Sequence, residues 1–197
     1  MAAIVGDIIS RVNTHFNEGD EEGAYTLAEK ILWVNIAEKN LTEKLPASLL
    51  QELATTKEIN LTEGKYLLPD DFIKVISAEY NGKACRIEGV YKECLIGKNM
   101  DFAADASEPI VIIKGNQIKV FPDSESTPTF SLTYIKQPIA LTTKGSNLNL
   151  PNYFELIFYD VLLQAYGRDR QPEMNTYLTL YFTCLGDTIT RGGAWQR

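Results

Sequence analysis

The spacing of apolar residues changes twice along this chain of 197 residues. Up to about residue 55, and again from Pro151, apolar side chains recur every three or four residues, the period of an amphipathic helix. Between these parts the pattern alternates, or short apolar runs flank Asn-Gly and Gly-Asn pairs, as in strands and hairpins. The pattern predicts an α+β protein in which N- and C-terminal helices form one bundle and an antiparallel β-rich lobe is inserted between them.

The two changes of period set the expected domain bounds. Residues 1–57 and 151–190 are assigned to a discontinuous helical bundle, 58–150 to the β-rich insertion, and 191–197 to a flexible, glycine-containing tail. The helix from Ala24 to about Lys44 is apolar over more than one face, and its polar positions narrow to a stripe at Glu29, Lys30 and Glu38. Such a helix needs burial on several sides, within a bundle or an oligomer.

The middle of the chain contains several strand signals. Asn81-Gly82 and Gly115-Asn116 predict tight hairpin turns, because both residue types tolerate positive φ. Tyr91–Ser107 is ambiguous and is expected to be a loop or short helix, and Thr142–Asn149 is expected to be a polar linker. The strands are predicted at Glu58–Thr62, Phe72–Tyr80, Ala84–Ile87, Ile110–Ile113, Ile118–Phe121 and Thr129–Tyr134.

The stretch around Pro69 is expected to be the joint at which the helical bundle passes into the β lobe. Pro69 lacks an amide donor and biases the residue before it toward extended geometry. Asp70 and Asp71 could suggest paired carboxylates for acid-base chemistry. Adjacent residues on an extended chain point to opposite faces, however, so a turn or cap role is favoured. The residues of this joint are Leu68, Pro69, Asp70, Asp71 and Phe72.

Charge and hydropathy exclude some classes of function. The formal net charge of −7 argues against sequence-independent binding of nucleic acid, which requires a basic surface, but permits a surface past which DNA moves without adhering. The N-terminus lacks a basic segment, and Asp7 interrupts its apolar residues, so no secretory signal is expected. Apolar runs are also shorter than a membrane span.

No arrangement of residues predicts a catalytic, cofactor or metal site. His15 is the only histidine, which excludes a multi-histidine zinc site within one chain and favours a surface or boundary position. The three cysteines, Cys85, Cys94 and Cys184, form no Cys-x-x-Cys pair, so buried reduced thiols are expected, with a disulfide or metal site as the alternative. The acidic segment 17–23 lacks the ligand spacing of an EF-hand and is expected to be a solvated linker.

Two further observations limit the chemistry. Gly192-Gly193 is not followed by the Lys-Ser/Thr of a phosphate-binding loop. Most of the tyrosines and phenylalanines lie on apolar stripes, which favours core packing over sugar binding or base stacking. An enzyme is therefore a weak hypothesis, held open because sites between subunits are invisible in one sequence.

Five motifs occur in an order and spacing that resemble one protein family. They are Trp33-Val34-Asn35-Ile36-Ala37, Tyr66-Leu67-Leu68-Pro69-Asp70-Asp71-Phe72, Gly115-Asn116-Gln117-Ile118-Lys119-Val120-Phe121-Pro122, Leu132-Thr133-Tyr134 followed by Pro138 and Leu141, and Pro151-Asn152-Tyr153-Phe154-Glu155-Leu156. Together they resemble the head-to-tail connector, or adaptor, proteins of short-tailed phages, including the ring proteins of crAss-like phages.

The resemblance implies a structural virion protein, synthesised in the bacterial host cytoplasm. Proteins of the connector family form a twelve-fold ring below the portal protein, continue the DNA channel and provide a docking surface for other neck or tail ring proteins. No cofactor and no membrane are implied, and DNA would pass without sequence-specific binding. Subunit contacts would come from 24–41 and 152–189. The C-terminal segment would reach a neighbouring ring, although it is short here.

The resemblance also suggests interface residues. The subunit or portal interface is expected at Trp33, Tyr159, Tyr166, Tyr177, Tyr181, Arg191, Trp195 and Arg197. Two alternatives remain open: a free-standing module that binds a glycan or peptide, and a small hydrolase. The first would be a stable monomer with a concave aromatic patch, and the second would have a deep pocket with convergent carboxylates.

Overall fold

A computed structural model describes residues 3–18, 23–60, 66–96, 104, 107–122, 129–169 and 173–194. Along the chain, two helices precede and two helices follow a run of strands, which confirms the predicted α+β class. The α-helices of the described residues are α1 (Val5–Phe16), α2 (Leu27–Lys44), α3 (Phe154–Asp169) and α4 (Met174–Ala194). The strands are β1 (Ala54–Glu58), β2 (Tyr66–Leu67), β3 (Phe72–Tyr80), β4 (Lys83–Ala84), β5 (Arg86–Glu88), β6 (Ile110–Lys114), β7 (Gln117–Phe121) and β8 (Phe130–Lys136).

The chain divides into two compact units. The helical unit comprises Met1–Leu53 and Gln137–Arg197, and the β unit comprises Ala54–Lys136. That either unit folds as an independent domain with the bounds expected from the sequence stays a prediction.

The beginning of the β unit differs from the sequence-based expectation. The helical spacing of Leu49, Leu50 and Leu53 belongs to two 3-10 turns, whose three-residue period resembles that of an α-helix over so short a distance. Strand β1 then starts at Ala54, which pairs with Ile135 of β8. The prediction of a strand at Glu58–Thr62 was therefore late by four residues, and Leu61 and Thr62 lie outside the described residues.

The helical unit is organised around α3. Its buried side chains occur on more than one face, because α1, α2 and α4 all pack against it. Helix α2 begins with a capping box in which Thr26 Oγ1 accepts from the Glu29 amide and Glu29 Oε2 accepts from the Thr26 amide. The buried apolar core of this unit includes Val5, Ile8, Ile9, Val12, Val34, Ala37, Leu41, Ile157, Val161, Leu162 and Ala165.

The segment 137–150 packs in the helical unit and is more than a linker. The amide of Gly6 donates to Lys144 O at 2.8 Å, and the amide of Leu148 donates to Ala3 O at 3.1 Å. The expectation of a simple polar linker at Thr142–Asn149 was wrong, because its polar groups bind the start of α1 and the side of α2.

The β unit contains two four-stranded sheets. One has the order β1-β8-β3-β4 with antiparallel neighbours, and the other has the order β2-β7-β6-β5, in which β5 and β6 are parallel. Asn81 (φ 50°) and Gly82 (φ 72°) form the β3–β4 turn, and Gly115 (φ 61°) lies in the β6–β7 turn, as the hairpin signals predicted. A shared core joins the sheets and includes Tyr66, Ala78, Tyr80, Val111, Ile118, Phe130, Leu132 and Tyr134.

Helix α4 extends into the segment that the sequence predicted as a flexible tail. It continues through Arg191 and ends at Ala194, whereas residues 195–197 lie outside the described residues. Gly192 lies so close to the side chain of Leu49 that an added Cβ would overlap it. The absence of a side chain at Gly192 therefore allows α4 to pack closely against the turn at Ala47–Leu49.

Candidate assembly surface

Helix α4 buries one face in the helical unit and exposes an apolar flank beside that face. On the inner face, Tyr181 and Leu185 are buried. The outer face, as the term is used below, comprises Leu178, Phe182, Gly186 and Ile189, whose spacing of four, four and three residues places them on one line. Phe182 is 56% exposed, and Leu178 and Ile189 are each 38% exposed.

The outer face lies on a helix that carries little charge. Between Met174 and Thr190, Asp187 is the only Asp, Glu, Lys or Arg. The hydroxyl groups of Thr179 and Thr190 donate to the carbonyls four residues earlier, at 3.0 and 2.8 Å. These two hydroxyls keep a hydrogen-bond partner even when water is removed. The face therefore resembles the charge-depleted centre of a protein interface.

Gly186 in the middle of α4 has no packing role among the described residues. A Cβ added there would meet nothing within 4 Å. Glycine in a helix interior costs about 1 kcal/mol relative to alanine. Close approach of a second helix over Gly186 would explain why a side chain is absent there.

A second exposed apolar surface lies on α2 and the segment that follows β8. We refer to Leu32, Ile36, Pro138, Ile139 and Ala140 as the α2–loop patch. The side chain of Ile139 is 66% exposed, that of Leu32 is 54% exposed and that of Ile36 is 38% exposed. Ile36, Pro138 and Ala140 also line a shallow groove of about 170 Å³, with Lys39 at its edge.

Two polar side chains of α2 hold the loop of this patch in place. Asn35 pairs with the backbone of Leu141, accepting from its amide at 2.8 Å and donating to its carbonyl at 3.0 Å. Glu38 accepts from the amide of Asn149 at 2.7 Å, from the amide of Leu150 at 3.1 Å and from the Asn149 side chain at 2.6 Å. Asn149 in turn binds both backbone groups of Ile139. The exposed Ile139 side chain is thus carried by a fixed backbone.

We refer to Asn35 and Glu38, which hold this loop on α2, as the clamp. Burial sets the protonation behaviour of its carboxyl group. Glu38 is fully buried, and the loss of hydration raises the pKa of its carboxyl group. Hydrogen bonds from Asn149 and Leu150 oppose the rise. The sequence identified Asn35 within a motif, but it placed Glu38 on a polar stripe. The expectation that Lys30 lies on the same polar stripe was also wrong, because Lys30 is buried. Its Nζ donates to Asn13 Oδ1 at 2.6 Å and to Glu18 Oε2 at 2.9 Å.

The aromatic residues that the sequence assigned to an interface occupy different environments. Trp33, Tyr166 and Tyr181 are buried within the helical unit, and Tyr159 and Tyr177 are half-buried. Tyr166 stacks on Tyr177 with ring centroids 5.1 Å apart. The three buried side chains offer little surface to a partner. An interface role for these residues stays a prediction, as it does for the exposed Arg191 and for Trp195 and Arg197, which lie outside the described residues.

The segment Leu68–Phe72 lies inside the β unit, where it connects β2 of one sheet to β3 of the other. The Phe72 amide donates to Pro69 O at 3.0 Å, which closes a turn. Asp71 Oδ1 accepts from the Tyr134 hydroxyl at 2.8 Å, and burial together with this hydrogen bond raises the pKa of Tyr134 to about 12. Asp70 is exposed. The two carboxylates therefore do not act on one site in this geometry, and Asp71 supports the strand pairing.

His15 and the cysteines provide little chemistry in this structure. His15 is half-buried, its Nε2 lies 2.7 Å from the Tyr166 hydroxyl, and burial lowers its pKa. The three cysteines are free, as expected, but Cys94 is exposed and Cys85 and Cys184 are only half-buried, so the expectation of buried thiols was wrong. Among the described residues, no three His, Cys, Asp or Glu side chains are grouped so as to hold a metal ion. Within the same residues, no helix combines the length and apolarity needed to span a bilayer.

Comparison with known proteins identifies the family. The family model described as SU10 adaptor protein matches residues 4–197, which is nearly the whole chain. No curated protein gives a significant match. The match agrees with the resemblance seen in the five motifs. The chain belongs to the SU10 adaptor protein family and is a structural adaptor protein of a phage virion.

Proposed function

We propose that this protein is the subunit of a homo-oligomeric, twelve-fold adaptor ring in the phage neck. The ring docks under the portal protein, continues the channel through which DNA passes, and provides an attachment surface for neck or tail components. This role requires assembly and no catalytic step. Membership of the adaptor family supports the general role.

The outer face of α4 is the observation that carries the proposal. Three large apolar side chains are exposed in a line on a helix that has one charged residue over more than four turns. An isolated soluble chain gains nothing from such a face, whereas burial between copies would remove it from water at about 25 cal/mol per Å² of apolar area. Self-association therefore explains a feature that the core of one chain does not.

The net charge is consistent with passage of DNA. With a formal charge of −7, the surface as a whole repels a phosphate backbone at long range. A channel wall of this kind would let DNA slide without binding it. The portal and the tail components would bind surfaces away from the channel, and the C-terminal end of α4, which carries Arg191 in its last turn, is proposed as one of these contacts.

Electron microscopy of the purified chain, alone and mixed with the portal ring of the same virus, tests this function. The proposal predicts closed rings with an open centre, or a monomer that becomes a ring on the portal. A chain that remains monomeric and never joins a portal or neck assembly would contradict it. Such a monomer with affinity for a glycan or peptide would support the binding-module alternative instead.

A further inference from the structure

We propose that the side chains of Lys30 and Asn13 condense to an intramolecular isopeptide bond, with Glu18 as the proton acceptor. Lys30 lies near the start of α2 and Asn13 lies in α1, and both are buried. A buried amine, a carboxamide and a carboxylate are thus grouped at one point of the helical unit. The inference is independent of the ring function, so the failure of one leaves the other standing.

The amine of Lys30 contacts both of the other groups. Its Nζ donates to Asn13 Oδ1 at 2.6 Å and to Glu18 Oε2 at 2.9 Å. The carbon of a carbonyl group lies about 1.2 Å from its oxygen, so the amine nitrogen is already close to Asn13 Cγ, the atom that it would attack. Groups held in contact in this way react as in a unimolecular step, without the entropy cost of an encounter.

The backbone after α1 fixes the carboxylate in this position. Asn17, directly after the helix, has φ 54°, and the turn that it makes lets the amide of Glu18 donate to Asn13 O at 2.8 Å. The Oε1 atom of Glu18 accepts from the amide of Ala24 at 2.8 Å. The remaining carboxylate oxygen, Oε2, is therefore directed at the amine by contacts on both sides of the loop.

The surroundings exclude water from the amine and the carboxylate. The side chain of Lys30 is 2% exposed and that of Glu18 is 10% exposed. The Tyr25 and Trp33 rings pack edge to face nearby, and the charge of Glu18 adds to the effect of burial in raising the pKa of Tyr25. Burial of two charges is costly, and transfer of one proton from the ammonium to the carboxylate gives a neutral pair. The transfer also produces the uncharged amine that nucleophilic attack requires.

The condensation needs no further reagent. After Glu18 accepts a proton from the Lys30 ammonium, the lone pair of Nζ forms a bond to Asn13 Cγ, and the carbonyl π electrons move to Oδ1. When these electrons return, the Cγ–Nδ2 bond breaks, and its electron pair leaves with the nitrogen. Nδ2 takes one proton from Nζ and one from the Glu18 carboxyl, and departs as an ammonium ion. Glu18 is again a carboxylate, and the new bond is an amide.

The bond would join α1 covalently to α2. A cross-link between residues 13 and 30 restricts the unfolded chain and so stabilises the folded state. The two helices would also stay connected when the packing between them is lost.

Mass spectrometry of the denatured chain tests the bond. Wild-type protein that is kept folded overnight should be lighter than its sequence predicts by one ammonia molecule. Trypsin does not cleave after an acylated lysine, so one peptide from Val12 to Lys39 should replace the two peptides that meet at Lys30. A chain of full mass would overturn the proposal, and so would loss of ammonia with normal cleavage after Lys30.

Variants of the three residues assign their roles. Lys30→Arg removes the amine nucleophile and Asn13→Ala removes the carboxamide, so each should have the full mass of its own sequence. Glu18→Gln removes the proton acceptor at nearly constant size, and should also keep its full mass while circular dichroism shows a folded chain. Glu58→Gln, at an exposed position in β1, is the matched control and should form the bond as the wild type does.

The variants also show what would contradict each step. A folded Glu18→Gln chain that loses ammonia as fast as the wild type would overturn the role of the carboxylate. Loss of ammonia from Lys30→Arg would show that Asn13 or another amide reacts without the lysine, which contradicts the bond. The mass of the wild type decides whether the bond exists even where a variant does not fold.

Discussion

Helices α3 and α4 follow each other in the chain and are both rich in apolar residues, but only α3 finds enough neighbours to bury them. Helix α3 is packed by α1, α2 and α4, so Leu156, Ile157, Val161 and Leu162 are buried on different sides. Helix α4 packs mainly against α3 and the turn at Ala47–Leu49, so its outer face remains exposed. The difference teaches that the apolar residues of α3 complete the core of the helical unit, whereas those on the outer face of α4 stay exposed and are the ones proposed to be buried between copies.

Truncating a large side chain should lower the stability of the monomer when the residue lies on α3, and should weaken assembly when it lies on α4. Leu162→Ala removes a fully buried side chain and should lower the free energy of unfolding by about 3 kcal/mol. Phe182→Ala removes a side chain that is 56% exposed and should change the unfolding of the monomer by less than about 0.5 kcal/mol while it weakens assembly. Urea denaturation at a protein concentration where the chain is monomeric measures both. Equal losses would mean that α4 is packed like α3.

The clamp beneath the α2–loop patch should contribute strongly to stability. Glu38→Ala leaves the amides of Asn149 and Leu150 without their acceptor, and Leu150 is fully buried. Unfolding should become easier by about 2 kcal/mol. Glu58→Ala, at an exposed position in β1, is the control. A Glu38→Ala variant as stable as this control would show that the clamp does not hold the loop.

Substitution of Gly186 in α4 should change the stability of the monomer and its assembly in opposite directions. Gly186→Ala should stabilise the monomer by about 0.5–1 kcal/mol, since no described atom lies near the new methyl group. The same methyl should weaken association if a neighbour packs over α4. Gly167→Ala in the last turn of α3 is the control, because a Cβ there meets only Met174 Sδ, at an ordinary distance of 3.7 Å. Thermal unfolding and mass photometry of the two variants give the comparison, and unchanged assembly of Gly186→Ala would contradict close packing.

The buried carboxyl group of Glu38 should make the free energy of unfolding depend on pH, with a smaller effect than the substitutions above. Because the folded state raises the pKa of Glu38, it binds more protons than the unfolded state between the ordinary glutamate pKa and the raised value. The part of the stability that comes from this extra proton binding is therefore present at low pH and lost as pH rises through this window, whereas the hydrogen bonds that Glu38 accepts remain. Glu38→Gln should lack this dependence. Unfolding free energies of the two proteins over this range test the sign, and parallel profiles would contradict it.

The sequence predicted the parts of the structure that depend on local pattern. The change from helical to alternating period and the turns at Asn81-Gly82 and Gly115-Asn116 follow from backbone preference and apolar spacing within a few residues. The start of β1 was missed because Leu49, Leu50 and Leu53 fit either an α-helix or 3-10 turns. The helical end of α4 was missed because glycine signals a flexible tail unless a neighbour such as Leu49 is known.

The candidate site was less accessible from sequence because it depends on contacts distant along the chain. Glu38 binds Asn149 and Leu150, more than 100 residues away, and no local pattern distinguishes it from a solvated glutamate. Trp33 and Tyr166 appeared suited to an interface because aromatic residues are common there, yet both are buried in the core. The outer face of α4 was missed because its inner stripe is the more regular pattern in the sequence.

Mass photometry of Phe182→Glu beside the wild type tests the central claim most directly. A carboxylate in the middle of the outer face would be buried without a partner in any assembly that uses this face. Tyr91→Glu, which places the same charge at a position that is 77% exposed in the β unit, is the control. The account predicts that the wild type and Tyr91→Glu form rings, whereas Phe182→Glu remains a folded monomer. Rings of Phe182→Glu as stable as those of the wild type would contradict the claim that this face of α4 joins the subunits.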